Sequence, residues 1–227
     1  TIGTIKVESD KLWGAQTQRS LMNFKIGDEK MPSEVIVALG YQKKAATMTN
    51  IQFGKINNSI GKAIIKSCEE IINLKLINHF PLSLWQTGSG TQTNMNANEV
   101  ISNRSIQILK GKLGSKHPVH PNDHVNMSQS SNDVFPTVMH IACIFKIKNN
   151  LIPAIDLLIK TLSNKEKQFN KIIKVGRTHT QDATPLSLGQ EFSGYKEQIS
   201  KNRDRIMISS DELHFLAQGG TAVGTGI

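Results

Sequence analysis

Residues 176–185, which read GRTHTQDATP, place an imidazole beside hydroxyl groups in a polar segment between two apolar helical patterns. His179 follows Thr178, and an ordinary histidine pKa of about 6.5 makes His179 the best candidate in the chain for acid–base catalysis. A histidine in a polar turn often has a structural role instead. Pro185 suits the first turn of a helix, and we expect Thr184 to cap that helix.

A glycine-rich polar segment at residues 87–94, TGSGTQTN, could bind a carboxylate or a phosphate. Glycines let backbone N–H groups approach a ligand, hydroxyls add donors, and a following helix would place its positive end there. The segment carries neither the GxxxxGK[ST] pattern of a Walker loop nor the strand and GxGxxG of a dinucleotide site. A flexible linker with a Ser or Thr helix cap explains it equally well.

A second polar segment, SQSSND at residues 128–133, precedes another helical pattern. Asn132 or Asp133 could act only as a helix cap. The three consecutive donors Ser130, Ser131 and Asn132 exceed what a cap needs, and beside a helix N-terminus they would form a second anion pocket.

A histidine cluster lies just upstream of this second segment. His120 and His124 are four residues apart, which on a helix would put both on one face, where a metal could bind. Pro118 and Pro121 argue against a regular helix here, and no cysteine joins the cluster. We therefore expect no metal site and favour a surface cluster or a weak anion site.

The elements that must position these segments are predominantly helical. Apolar residues recur at helical spacing after Ser33, and again after Asn58 or Ser59, which are the expected caps. A third helix is expected over residues 96–109. A short strand or hairpin is expected within residues 6–20.

Two longer helical patterns follow residue 133. The first begins near Pro136 and continues past Pro153, an expected kink, and the second covers residues 186–216. Long helices joined by a polar turn indicate an elongated bundle. We therefore predict a mainly α fold with little β structure. Residues 1–129 would form an N-terminal mostly helical domain, and residues 130–227 the incomplete start of a central helical bundle.

The composition excludes several classes of protein. No run of about 18 apolar residues occurs, so no membrane span is expected, and the first residues show no signal peptide. Lys and Arg outnumber Asp and Glu by 27 − 18 = 9. The positive residues are scattered, without blocks or an aromatic ladder, so we expect a basic surface that steers small anions rather than a nucleic-acid-binding protein. Cys68 and Cys143 lie in apolar patterns and are expected to be buried and reduced.

Taken together and in order, six motifs resemble the fumarase/aspartase superfamily of lyases across essentially the whole chain. They are LWGAQTQRS at 12–20, WQTGSGTQTNMN at 85–96, VHPNDHVN at 119–126, SQSSND at 128–133, GRTHTQ at 176–181 and the glycine-rich run at 219–226. Aspartate ammonia-lyases typically carry Gln in place of His179 and Thr in place of Ser131, so both positions favour the metal-independent class II fumarate hydratases.

This resemblance implies reversible hydration of fumarate to L-malate through an aci-carboxylate intermediate, with no cofactor. His179 would handle the proton of the water. A group of donors would hold the two carboxylates: Ser89, Gly90, Thr91, Ser130, Ser131, Asn132 and Thr178. A secondary dicarboxylate site would comprise His120, Pro121, Asn122 and Asp123.

The same resemblance implies an assembly and a location, and one superfamily segment is missing from this sequence. Superfamily members are homotetramers whose pockets combine segments from three subunits. We expect the protein to be located in the cytoplasm, or in the mitochondrial matrix if a targeting segment has been removed. The superfamily's GSSxMPxKxN loop, which supplies the proposed serine base, does not occur in these residues. We therefore expect an N-terminal half that is inactive alone. Another superfamily lyase, or an inactive dicarboxylate-binding fragment, is the alternative.

Overall fold

A computed structural model describes residues 3–227 and has the mainly α-helical fold that the sequence predicts. Within those residues there are seven α-helices and a single two-stranded ribbon. In chain order the elements are α1 (Ala15–Asn23), α2 (Ser33–Gln52), α3 (Asn58–Ile72), α4 (Thr91–Ile108), α5 (Ser131–Lys146), α6 (Ile152–Phe169), β1 (Ile173–Thr178), β2 (Gln181–Ser187) and α7 (Leu188–Ser210).

The chain divides into two compact units. The first contains the residues up to Ala142 together with Leu216–Ile227, and the second contains Cys143–Phe215. The predicted domains, 1–129 and 130–227, describe a division of the full-length fold and stay a prediction.

The core of the first unit is formed by α2, α3, α4 and α5, of which α4 is buried on most sides. The buried apolar residues of these helices recur mostly at steps of three and four, and burying each large aliphatic side chain stabilises the fold by about 1.5–3 kcal/mol. Helix by helix, the contributors are Ile36 and Leu39; Ile64, Cys68 and Ile71; Ala97, Val100 and Ile101; and Val134, Val138 and Ala142.

The strand or hairpin predicted within residues 6–20 was wrong, because residues 6–14 form no strand and helix α1 begins at Ala15. Its N-terminus is capped from a distance. The buried Glu99 carboxylate on α4 accepts from the amides of Gly14 (2.8 Å), Gln16 (2.8 Å) and Thr17 (3.1 Å), and from the Thr17 hydroxyl (2.6 Å). An anion at this position satisfies amides that have no partner within the helix and lies at the positive end of its dipole.

Three other predicted helix starts shift slightly. Helix α2 begins at Ser33 itself, after Pro32, and α3 is capped by Asn57, whose side-chain oxygen accepts from Ser59 N at 2.8 Å. Helix α4 begins at Thr91, five residues before the predicted start, because the polar residues that follow still belong to the helix. Each helix itself is confirmed.

The second unit is built on the antiparallel pair α6 and α7. Helix α5 continues through a π-helical turn, Ile147–Leu151, into α6, so Pro153 lies just after an irregular turn. Phe169 and Phe192 meet edge to face with ring centroids 5.2 Å apart. Lys196 pairs with Glu166 at 2.6 Å, which links the same two helices.

The segment between α6 and α7 differs from the prediction. Thr184 and Pro185 lie within strand β2, so Thr184 does not cap a helix. Ser187 does so, in a reciprocal pair with Gln190: Ser187 Oγ accepts from Gln190 N at 3.1 Å, and Gln190 Oε1 accepts from Ser187 N at 2.8 Å. The strand alternation was obscured by Pro185, which a two-stranded ribbon tolerates because both strands are edges.

Cys68 is buried as expected, and burial raises the pKa of its thiol to about 12. Cys143 is exposed in this chain, so the expectation of a second buried thiol was wrong. Among residues 3–227 we find no helix with the length and apolar character that crossing a membrane requires.

Candidate active site

The glycine-rich loop at residues 87–90 leads directly into helix α4. Gly88 and Gly90 both have φ of +73°, a left-handed conformation that glycine adopts without strain. Gly90 occupies the cap position and offers no side-chain acceptor, and the first turn of α4 contains no acidic residue. The amides at this helix end are therefore suited to bind an anion.

The hydroxyls of this loop form a short chain. Thr87 Oγ1 lies 3.2 Å from Ser89 Oγ, and Ser89 Oγ donates to Thr91 Oγ1 at 3.0 Å. Ser89 is exposed and Thr91 is half-buried, so these groups can reach a ligand at the surface of the first unit.

The second predicted donor segment forms the start of helix α5. Ser130 is the capping residue, because its Oγ accepts from Asn132 N at 3.2 Å and its own amide donates to Asp133 Oδ1 at 2.9 Å. The interpretation of Asn132 or Asp133 as the cap was therefore wrong. Asn132 is exposed, and its amide donates to Ala222 O at 2.8 Å.

Asp133 is a buried structural anchor rather than a ligand group. Its second oxygen accepts from the amides of Gly219 (3.1 Å) and Thr221 (2.9 Å) in the glycine-rich run near residue 227. These bonds fasten that run beside the start of α5.

The two donor segments lie side by side. Asn94, in the first turn of α4, donates to Ser131 Oγ in the first turn of α5 at 2.8 Å. The ring of Phe135, one turn further along α5, lies against Gly90. Two helix N-termini and at least four hydroxyls, those of Ser89, Thr91, Ser130 and Ser131, thus meet on one unit, an arrangement that favours a carboxylate ligand.

A buried polar network that the sequence analysis missed supports this arrangement. Lys43 on α2 is fully buried and donates to Asn126 Oδ1 and Gln129 Oε1, both at 2.9 Å. Burial lowers the pKa of the Lys43 ammonium to about 7, and the negative charge of Asp133 only partly opposes that shift. In the sequence, the burial of Lys43 is indicated only by its position, four residues after the core residue Leu39.

The residues predicted for a secondary site form a compact turn. His120 precedes the π-helical turn Pro121–Val125, and its Nδ1 accepts from the amides of Asn122 (3.3 Å) and Asp123 (3.2 Å). The same Nδ1 lies 3.2 Å from Asp123 Oδ2, a contact that requires a hydrogen on Nδ1. We favour the tautomer with its hydrogen on Nε2, because Nδ1 then accepts from both amides and Nε2–H is left as the donor to a ligand.

The neighbouring His124 has a structural role. Its Nδ1 accepts from His120 N at 2.9 Å, and partial burial lowers the pKa of its imidazole. Across residues 3–227, the His, Cys, Asp and Glu side chains nowhere form a group of three or more that could hold a metal ion.

Thr178 and His179 lie on the second unit, at the tip of the β1–β2 hairpin. Thr178 pairs with Gln181, so the turn residues are His179 (φ +48°) and Thr180 (φ +62°), the backbone of a type I′ turn. Such turns prefer Asn-Gly, and a β-branched residue at positive φ is strained. The turn exposes His179, and strain of this kind often accompanies function.

The structure therefore brings together Ser89, Gly90, Thr91, Ser130, Ser131 and Asn132 on the first unit. The turn beginning at His120 belongs to the same unit, whereas Thr178 and His179 belong to the other. The catalytic and binding roles of all these residues stay predictions.

Comparison with known proteins adds a family context. A family model described as lyase matches residues 3–227. The chain is 60% identical over 227 residues to the fumarate hydratase class II of Rhizobium meliloti, covering 100% of this chain and 49% of that protein. It is 58% identical over 229 residues to the mitochondrial fumarate hydratase of Rhizopus oryzae, covering 100% of this chain and 46% of that protein.

Solved structures give the same result. A class II fumarase from Schistosoma mansoni matches with a TM-score of 0.97 at 44% identity, over 100% of this chain and 48% of that one. A fumarate lyase:delta crystallin from Brucella melitensis matches with a TM-score of 0.94 at 35% identity, over 97% of this chain and 50% of that one. The chain spans about half the length of the curated relatives it matches.

Proposed function

Because the chain belongs to the lyase family, we propose that the full-length protein is a class II fumarate hydratase, which adds water reversibly to fumarate to give L-malate. The names of relatives up to 60% identical support this assignment. The observation that carries it is the 2.8 Å contact between Asn94 and Ser131, which joins two donor-rich helix N-termini into one anion-binding surface.

The chemistry explains why such a surface is needed. A C–H beside a carboxylate is a very weak acid, and removing its proton leaves an additional negative charge on that carboxylate. Donors fixed in advance stabilise this aci-carboxylate, and losing one such donor costs roughly 2.7–4 kcal/mol. In this proposal Ser89, Thr91, Ser130, Ser131 and Asn132, with Thr178, hold the substrate carboxylates.

In this proposal His179 transfers the proton of the water molecule. An imidazole can act as both base and acid, so it can accept a proton from water in one direction and return it in the other. The exposed hairpin tip leaves the ring accessible to a substrate held elsewhere. Following the resemblance to the superfamily, we propose that the complete pocket combines segments of several subunits of a homotetramer.

Two further elements of the proposal concern what surrounds the pocket. The turn of His120, Pro121, Asn122 and Asp123 would bind a second dicarboxylate, through His120 Nε2–H and the exposed side-chain amide of Asn122.

The serine base is expected on a loop outside these 227 residues, so residues 1–227 alone would bind dicarboxylates at most. We place the enzyme in the cytoplasm or the mitochondrial matrix.

The test is a substrate panel with the full-length protein in the presence of a metal chelator. We expect fumarate and L-malate to interconvert, and neither L-aspartate nor argininosuccinate to be cleaved. Release of ammonia from L-aspartate without hydration of fumarate would assign the protein to another branch of the superfamily. Absence of any turnover with retained dicarboxylate binding would leave only the binding function.

A further inference from the structure

Lys43 is the fully buried charged side chain whose role the proposed reaction does not explain. It lies on α2, whereas the groups proposed to bind substrate lie on α4 and α5. Burying a lysine is costly unless its N–H groups are well used. Its two acceptors, Asn126 Oδ1 and Gln129 Oε1, both belong to the turn that leads into α5.

These contacts fix the orientation of two side-chain amides. A lysine side chain donates hydrogen bonds, so the oxygen of each amide must face Lys43 and the NH₂ must face away. The rest of the turn agrees with that orientation: Asn126 Nδ2 donates to Gln129 O at 3.2 Å, and Gln129 Nε2 donates to Val125 O and Met127 O at 3.0 Å.

The orientation of Asn126 then determines that of Asn94. Asn126 Oδ1 lies 3.4 Å from Asn94 Nδ2, and the opposite orientation of Asn94 would bring two oxygens together there. Asn94 is buried and must therefore present its NH₂ group to Ser131 Oγ, 2.8 Å away. The Ser131 hydroxyl accepts this bond, so its own proton cannot be donated to Asn94 and is left for another acceptor.

We propose that Lys43 is a positioning residue that acts through Asn126 and Asn94 to keep the Ser131 hydroxyl a hydrogen-bond donor to the substrate carboxylate. This inference rests on the proposed function in one respect, that Ser131 binds a carboxylate of the substrate. Without Lys43, Asn126 Oδ1 loses its closest donor, and the bond from Asn126 Nδ2 to Gln129 O is left to hold that amide. When Asn126 and Asn94 reorient, Ser131 can donate its proton to Asn94 Oδ1 instead of to the ligand.

The contacts that run from Lys43 through Asn126 and Asn94 to Ser131 form a relay. A double-mutant cycle in the full-length protein tests this relay. Lys43→Met keeps the length of the side chain and removes its donors, and it is made with Ser131 present and in the Ser131→Ala background. Lys44→Met is the matched control, because the adjacent Lys44 is an outer residue that pairs with Glu69 at 2.8 Å. Values of kcat and KM for fumarate are measured for each variant, and circular dichroism checks folding.

We expect Lys43→Met to lower kcat/KM by about ten- to hundredfold when Ser131 is present, and by no more than about twofold when it is Ala, since the relay then has no end point. Lys44→Met should stay within about twofold of the parent. An equal loss in both backgrounds, or no loss with Ser131 present, would overturn the proposal, since a general packing role affects both backgrounds alike.

A second variant decides the matter if Lys43→Met does not fold. Asn94→Asp presents an oxygen to Ser131 and draws its proton away from the ligand, so the loss of kcat/KM should match that of Ser131→Ala. Turnover near the parent value would refute the relay.

The parent enzyme separates failure of the proposed function from failure of the relay. If it does not hydrate fumarate, the proposed function fails, and the cycle is repeated with the dicarboxylate that it does convert.

Discussion

The ring of Phe135 fills the space that a side chain at Gly90 would need. A Cβ added to Gly90 would lie 2.1–2.4 Å from atoms of that ring, far inside van der Waals contact. Gly88 has the same φ of +73°, but a Cβ there would meet no atom within 4 Å. The loop thus needs glycine twice for its backbone, and at Gly90 also for the approach of α4 to α5.

This pair of glycines provides a matched test. Gly88→Ala should cost about 1–2 kcal/mol of unfolding free energy, the cost of a left-handed alanine. Gly90→Ala should cost a further 1–3 kcal/mol or so, because the ring must move. Urea unfolding of both variants measures the difference, and Phe135→Leu should recover part of the loss for Gly90→Ala alone. Equal costs at the two glycines would contradict the contact.

The Glu99 carboxylate offers a second prediction, about stability. Glu99→Gln replaces one acceptor oxygen with an NH₂ group that faces backbone donors, so the start of α1 loses at least one charge-assisted bond. We expect a loss of about 2–3 kcal/mol in urea unfolding. Glu69→Gln, which removes an exposed partner of Lys44, is the control and should cost at most about 1 kcal/mol. Similar losses for both would show that capping by Glu99 contributes little.

A third prediction concerns the hairpin tip. In the full-length protein, His179→Asn should reduce kcat for fumarate hydration at least about a hundredfold, the usual minimum for removing a general acid–base group. Folding should be retained, because the side chain is exposed. His214→Asn, on the same unit, is the control and should leave turnover within about twofold. Unchanged kcat for His179→Asn would remove the imidazole from the mechanism.

Much of this fold can be predicted from local patterns. The helices α2, α3 and α5 follow from apolar residues at steps of three and four, and the glycine-rich loop at 87–90 follows from its composition. The start of α4 could not be predicted in the same way, since its first turns bury polar residues such as Asn94 and Asn96 whose partners lie far away in sequence.

The site is harder to predict than the fold, because its contacts are non-local. The bond from Gly14 N to Glu99 spans 85 residues, and that from Lys43 to Gln129 spans 86. No local pattern pairs either residue with its distant partner. The β-hairpin was missed for a different reason: His179 and Thr180 occupy turn positions where a pattern would demand Asn and Gly.

The pKa of Lys43 leads to a final prediction, on the pH dependence of stability. The group titrates near pH 7 in the fold and near its ordinary value of 10.5 when unfolded. Between these values the unfolded state binds more protons, so raising the pH stabilises the native state; below about pH 7 both states are protonated and this dependence disappears. In Lys43→Met this contribution to the pH dependence of the unfolding free energy is absent.

We therefore expect the unfolding free energy of Lys43→Met, relative to the parent, to fall by about 1 kcal/mol per pH unit between about pH 7 and about pH 9. Urea titrations at several pH values measure it. Two groups influence Lys43: Cys68 on α3, which stays protonated in this range because its pKa is about 12, and Asp133 on α5. Lys44→Met should give a flat difference, since its ion pair with Glu69 raises the pKa of Lys44. A flat difference for Lys43→Met as well would mean that Lys43 stays protonated in the core throughout this range.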